Sequence, residues 1–113
     1  MHEVSIMQNA LDLALAQAAQ QGAQRIHWIK LRVGELSGVI PDALTLAFEI
    51  VTAGTIAAEA QLELETVPVL CYCSTCQQDF HPDDWIYSCP ICNQLTTELR
   101  QGRELELTSL EVS

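Results

Sequence analysis

Positive charge is scarce in this chain. Its 113 residues include five lysines and arginines against fifteen aspartates and glutamates, which gives a formal net charge of −10. No lysine or arginine lies between Cys71 and Cys92. Nucleic-acid binding draws much of its affinity from lysine and arginine contacts with phosphates, so we expect no nucleic-acid partner. The acidity suits cation handling or a basic protein partner, and it also favours solubility.

Long apolar runs and targeting signals are missing as well. No apolar stretch reaches the roughly 18 residues of a transmembrane helix, so we expect no membrane partner. Residues 1–5 lack a basic segment followed by an apolar one and do not resemble a secretory signal. We therefore expect a reducing, cytoplasmic location. No serine, histidine and carboxylate set forms a recognisable nucleophile arrangement, so we do not predict an enzyme.

The cysteines carry the strongest signal. Four of them form two Cys-x2-Cys pairs, Cys73/Cys76 and Cys89/Cys92, a short segment apart. Such pairs can close four thiolates around one ion, and zinc prefers tetrahedral sulfur ligands. A redox protein would need only one pair, and disulfides would require an oxidising compartment. We predict a structural Zn²⁺ site, and we interpret the fifth cysteine, Cys71, as a small, partly buried side chain.

Periodicity predicts two helices. Apolar residues recur at three- and four-residue spacing from about residue 4 to residue 21, and Gly22 is typical of a helix end. Pro41 is suited to the first position of a second helix, which ends near Gly54. Alternation predicts strands at residues 26–33, 60–67 and 104–112, with a bulge near residues 108–109 and with His27 on the apolar face of the first strand.

This order predicts an α+β fold, in which two helices pack on a three-stranded sheet and a zinc-ribbon module is inserted before the last strand. The two strands that flank the insertion are candidates for an antiparallel pair. We expect an α/β domain formed by residues 1–69 plus 96–113 and a zinc-binding module at residues 70–95.

The first three residues, Met1-His2-Glu3, offer a second possible metal site. The free α-amine, the His2 amide nitrogen and the imidazole Nδ1 can chelate one ion together. A deprotonated amide nitrogen favours square-planar Ni(II) or Cu(II). The alternative interpretation is an ordinary disordered terminus in which Glu3 compensates the helix dipole.

The chain as a whole resembles the HypA/HybF hydrogenase nickel-incorporation proteins. The resemblance is carried by Met1-His2-Glu3, Val33-Gly34-Glu35-Leu36-Ser37, Ala47-Phe48-Glu49, the paired Cys-x2-Cys motifs, Gly102-Arg103-Glu104-Leu105-Glu106-Leu107 and Ser109-Leu110-Glu111. It covers nearly the whole chain in order.

The resemblance implies a nickel metallochaperone that delivers Ni²⁺ during maturation of [NiFe] hydrogenase, and of urease in some organisms. The implied partners are a HypB-type GTPase and the hydrogenase large-subunit precursor, with the chaperone a monomer or a homodimer. The family's nickel histidine falls on His2, with Met1 and Glu3 beside it, and its zinc ligands fall on the four paired cysteines. Asp42 and His81 are the nearest candidates for further donors.

Two other functions remain open at this point. One is a zinc-ribbon protein-interaction module without metal transport, in which Met1-His2-Glu3 is incidental. The other is a thiol oxidoreductase, which disulfide turnover without metal would support.

Overall fold

Two three-stranded sheets organise the computed structural model, which describes residues 3–83 and 86–113. The elements are α1 (Glu3–Gln20), β1 (Ile26–Gly34), α2 (Pro41–Thr52), β2 (Gln61–Val67), β3 (Leu70–Cys73), β4 (Gln78–Phe80), β5 (Leu99–Gln101) and β6 (Leu105–Val112). The α+β class and both predicted helices are confirmed.

α1 presents one apolar stripe to the core and ends where the sequence predicts. Its buried residues are Ile6, Met7, Ala10, Leu11, Ala14 and Ala18. Gly22 adopts a φ of 65°, a conformation that glycine reaches without the clash of a Cβ. The Gly22 N–H donates to the Ala19 carbonyl and the Ala23 N–H donates to the Ala18 carbonyl, which closes the helix with a Schellman motif.

α2 lies against α1 over the first sheet. Pro41 opens this helix, where its missing N–H costs nothing, and Asp42 supplies an acid to the first turn. Leu44, Ala47 and Phe48 are buried. α2 is the crossover between β1 and β2, and it makes those two strands parallel.

The first sheet has the strand order β2-β1-β6, with β6 antiparallel to β1. The suggested antiparallel pairing of the two strands that flank the insertion is therefore wrong. Both β2 and β6 pair with β1, because a parallel crossover places β2 on one side of β1 and leaves the other side for β6.

Register shifts explain which side chains reach the core. Lys30 pairs with Ser109 and Leu31 with Leu107, so Thr108 is an extra residue in β6 and the predicted bulge is confirmed. A second shift makes His27 the extra residue of β1. Its side chain is consequently exposed, and the expectation of a histidine on the apolar face is wrong.

The second sheet has the order β4-β3-β5 and is built around the cysteine segment. β3 and β4 form an antiparallel hairpin, and β5 pairs with the other edge of β3. Because β5 pairs with β3, residues 99–101 belong to the sheet of the cysteine segment. The domain boundary at residue 95 stays a prediction. We call residues 70–101 the cysteine module and residues 3–67 plus 105–112 the helical module.

The molecule is elongated, with extents of 55 × 25 × 18 Å. Each sheet has its own cluster of buried residues. No helix among residues 3–83 and 86–113 combines the length and the apolar character that crossing a bilayer requires.

Candidate metal centre

The first cysteine pair lies on the turn between β3 and β4. Cys73 is the last residue of β3 and is buried. The Cys76 N–H points at the Cys73 sulfur, with the nitrogen 3.5 Å from Sγ. Gln77 then takes a φ of 53°, which turns the chain back into β4. This turn directs both sulfurs to the same side.

The second cysteine pair forms a matching turn beyond β4. Ser88 and Leu95 make an isolated antiparallel bridge at its base. The Asn93 N–H donates to the Cys89 carbonyl at 2.8 Å, and Asn93 has a φ of 60°. Asparagine tolerates this left-handed conformation better than most residues, so the Cys92-Asn93 sequence already favours such a turn.

The two turns bring four sulfurs together. The Sγ atoms of Cys73, Cys76, Cys89 and Cys92 all lie within 4.8 Å of one another. The Cys73–Cys92 Sγ separation is 3.6 Å and the Cys76–Cys89 separation is 3.9 Å. Tetrahedral zinc with bonds of about 2.3 Å requires sulfur–sulfur distances of about 3.8 Å. The donor set and its geometry therefore fit one tetrahedral metal ion.

Backbone N–H groups prepare one thiol of the cluster for ionisation. The N–H groups of Cys92 and Ile91 point at the Cys89 sulfur and lower the pKa of Cys89 to about 7. The Cys76 thiol has the opposite shift: its hydrogen bond to Cys92, together with burial, raises the pKa of Cys76 to about 12. Thiols packed this closely resist joint ionisation, so a bound cation is what stabilises four thiolates together.

A side-chain contact ties the two turns to each other. The Thr75 hydroxyl donates to the Gln94 side-chain oxygen across the cluster. The Cys89 N–H also donates to the Gln94 carbonyl at 2.9 Å. Thr75 and Gln94 could not be identified from the sequence, because a contact between two turns has no local signature.

Cys71 stands apart from the four-cysteine group. It is fully buried, lies opposite Phe80 in the β3–β4 ladder, and is not a member of the cluster. Burial raises the pKa of the Cys71 thiol, which suits an inert packed side chain. The residue is fully buried, whereas the sequence predicted a partly buried side chain.

The candidate nickel donors are only partly within the described residues. Met1 and His2 lie outside them. Glu3 is half-buried in the first turn of α1, and Asp42 is exposed in the first turn of α2. His81 is exposed, and its Nδ1 donates to the Val69 carbonyl at 3.0 Å. Across residues 3–83 and 86–113, the four cysteines are the only group of three or more metal-donor side chains at ligand spacing.

A two-module α+β chain with a tetrahedral four-thiol site defines a small metal-binding protein. Comparison with known proteins identifies its family. The family model for "Hydrogenase/urease nickel incorporation, metallochaperone, hypA" matches residues 1–112. The chain therefore belongs to the HypA family of nickel metallochaperones of hydrogenase maturation.

Similar proteins agree with this membership. The hydrogenase maturation factor HypA of a Picosynechococcus species is 49% identical over 112 residues, which cover 99% of both chains. HypA of Chloroflexus aggregans is 42% identical over 112 residues, which cover 98% of both chains.

Solved structures extend the similarity to the fold. The solution structure of the Ni metallochaperone HypA from Helicobacter pylori has a TM-score of 0.69 and 25% identity, covering 99% of this chain and 97% of that one. A second HypA solution structure has a TM-score of 0.73 and 26% identity, and the match covers 100% of this chain and 97% of that one.

Proposed function

We propose that this protein carries Ni²⁺ at its N-terminus and hands it over during [NiFe] hydrogenase maturation. The observation that supports this most is the family match, which begins at residue 1 and includes Met1-His2-Glu3. Among the described residues, α1 begins at Glu3, which supplies an acid to its first turn. The cargo ion is bound by the Met1 amine, the His2 amide nitrogen and imidazole, and Glu3.

This donor set suits a chaperone because it can release its ion. A deprotonated amide nitrogen favours square-planar Ni(II). The positive end of the helix dipole opposes a bound cation, and the nearby carboxylate of Glu3 offsets it. A site at a chain end has few preorganised groups, which keeps ligand exchange with an acceptor feasible.

The four-cysteine centre has the opposite role in this proposal. It holds a resident Zn²⁺ through Cys73, Cys76, Cys89 and Cys92, and that ion stabilises the fold of the module around it. The support is the close agreement between the sulfur–sulfur distances and tetrahedral zinc.

The partners follow from the same family membership. We propose that the chain works with a HypB-type GTPase and delivers Ni²⁺ to the hydrogenase large-subunit precursor, and to a urease where the organism has one. The oligomeric state, monomer or homodimer, and the cytoplasmic location stay predictions. The protein acts by binding and ligand exchange rather than by catalysis.

Calorimetric titration of Ni²⁺ into tag-free, zinc-loaded protein tests the proposal. His2→Ala should abolish specific nickel binding while zinc content and fold persist. Residual tag residues before Met1 should do the same, because they convert the amine to an amide. His27→Ala is the matched control: this histidine is exposed in the helical module, and its loss should leave nickel binding unchanged.

Acidification gives a further check on the imidazole. Bound nickel should be released as the pH falls through the histidine range, since the ligand must be neutral and a free histidine has a pKa of about 6.5. Normal binding by the extended protein would remove the amine from the ligand set. Normal binding by His2→Ala would move the site elsewhere, with His81 and the cysteine module next to be tested. A protein that binds zinc but no nickel would be an interaction module instead.

A further inference from the structure

The last residue of β1 and the loop that follows it contact both chain segments that join the two modules. Residues 67–70 leave the helical module, and residues 101–105 return to it. The Glu35 N–H donates to the Val67 carbonyl at 2.9 Å. The N–H groups of Gly34 and Leu36 donate to the Glu104 and Gly102 carbonyls, each at 2.7 Å. Residues 34–36 of the helical module thus hold both crossing segments through their main chain.

The side chain of Glu35 adds a contact of a different kind. Its Oε1 accepts a hydrogen bond from the Val69 N–H at 2.6 Å, in the middle of the outgoing segment. The carbonyl oxygen of Val69 accepts a hydrogen bond from His81 Nδ1 at 3.0 Å. Val69 is therefore bound on one side by the helical module and on the other by the cysteine module. We call Glu35, Val69 and His81 the Val69 clamp.

Two glycines allow the segments to approach this closely. A Cβ on Gly34 would lie 2.2 Å from the Gly102 carbonyl oxygen, a distance that no side chain can occupy. Gly102 has a φ of 126°, and a Cβ there would lie 3.1 Å from the Val69 Cα. The Gly102 N–H donates to Glu104 Oε1 at 2.8 Å, which fixes the return segment at the same point.

We propose that Glu35 is a positioning residue that sets the orientation of the cysteine module relative to the helical module through the Val69 clamp. The inference rests on the proposed function for its purpose: with the modules held as one body, a partner bound to either module meets the other in a fixed place during nickel transfer. It also gives the Gly34-Glu35-Leu36 motif a role that metal binding alone does not supply.

The side chain of Glu35 is the part of this junction that mutation can remove cleanly. Most other contacts between the loop and the crossing segments are main-chain bonds. A carboxylate that accepts from a backbone N–H makes a charge-assisted bond, which is stronger than a neutral one. A glutamine can still offer an oxygen at the same position, whereas an alanine cannot.

Backbone residual dipolar couplings of the zinc-loaded, full-length protein test the clamp. In the wild type, both modules should fit one common alignment tensor. Glu35→Ala should lose the common tensor, so that each module fits only its own, while Glu35→Gln should largely keep it. Glu63→Ala removes an exposed glutamate from β2 and should behave like the wild type. Zinc content and nickel affinity should be unchanged in all three variants.

Several results would overturn the proposal. A common tensor retained in Glu35→Ala would show that the carboxylate does not set the orientation. Loss of the common tensor in Glu63→Ala as well would show a general effect of removing a negative charge. If Glu35→Ala failed to fold, His81→Ala would test the same clamp from the cysteine module, and an unchanged common tensor there would count against it. A wild type that bound no nickel but kept one tensor would refute the proposed cargo and leave the clamp intact.

Discussion

The helical module and the cysteine module are stabilised by different means. The helical core joins aliphatic side chains from both helices and from β1, among them Met7, Leu11, Ile29, Leu31 and Leu44. The corresponding cluster of the cysteine module, within the described residues, has only four buried members, and three of them are cysteines: Cys71, Cys73, Phe80 and Cys89.

The surface of the cysteine module shows the same shortage of buried apolar groups. Ile91 is 66% exposed and Leu95 is 73% exposed, although both follow closely on a metal-ligand candidate. A module of about thirty residues cannot bury enough apolar surface to fold alone and usually needs a metal or disulfides. One module therefore has enough buried apolar surface to fold on its own, whereas the other would need the ion that its four thiols can hold.

Removing one cysteine ligand should produce the largest effect. Cys89→Ala leaves three sulfurs and should unfold the cysteine module, because structural zinc contributes roughly 10–16 kcal/mol of apparent binding free energy. In ¹H–¹⁵N spectra, amide signals of residues 70–101 should collapse, while those of α1 and β1 remain dispersed and zinc content falls. Collapse of the α1 signals as well would show that the helical core is not independent.

Cys71→Ala is the matched control for that variant. It removes a buried sulfur that lies outside the four-cysteine group, so zinc content should stay at about one ion per chain. Loss of zinc in this variant would show that the wrong four sulfurs had been assigned. X-ray absorption should give four sulfur ligands; nitrogen or oxygen at half of the positions would contradict the site.

A substitution in the helical core should have the next largest effect on stability. Leu11 is 1% exposed, and Leu11→Ala should lower the free energy of unfolding of the helical module by about 2–5 kcal/mol without loss of zinc. Leu13 lies on the same helix but is 60% exposed, so Leu13→Ala should change the free energy of unfolding by no more than about 0.5 kcal/mol. Urea unfolding measures the stability of both variants. Equal losses of stability in Leu11→Ala and Leu13→Ala would contradict the difference in burial.

The junction between the modules should be sensitive to a single methyl group. Gly34→Ala places a Cβ against the Gly102 carbonyl and should cost about 3 kcal/mol, because backbone atoms must move apart. Gly22→Ala meets no atom within 4 Å and should cost only about 1 kcal/mol from its left-handed φ. Denaturation midpoints compare the two, and a larger effect at Gly22 would exclude the close approach at Gly34.

Local pattern was sufficient to predict much of this fold. The helix end at Gly22, the start of α2 at Pro41 and the bulge at Thr108 each follow from residue types within a few positions. The four-cysteine group follows from spacing alone. These features are determined by backbone preference and side-chain periodicity, which a sequence displays directly.

Features that depend on distant segments were not predictable in this way. His27 is an extra residue only in the pairing of β1 with β6, which the sequence of β1 does not reveal. Simple alternation therefore assigned its side chain to the wrong face. The placement of β2 and β6 on opposite sides of β1 requires knowledge of the crossover. The role of Glu35 depends on a bond to Val69, and that of Gly34 on contact with Gly102, which no local pattern reports.

The smallest expected effect concerns the acid sensitivity of the junction. The backbone N–H groups of Glu104 itself and of Gly102 hold the pKa of the Glu104 carboxyl below its ordinary value of 4.5. A carboxyl with a lowered folded-state pKa adds stability above the ordinary pKa and loses it as the pH falls through the folded value.

Glu104→Gln imitates the protonated side chain and isolates this contribution. The wild type should therefore be the more stable at neutral pH, and the difference between the two proteins should shrink as the pH falls below 4.5. Urea midpoints of the helical module measure that difference at each pH, and Glu63→Gln controls for the loss of one negative charge. A difference that stays constant or widens on acidification would show that the Glu104 carboxylate does not stabilise the return segment.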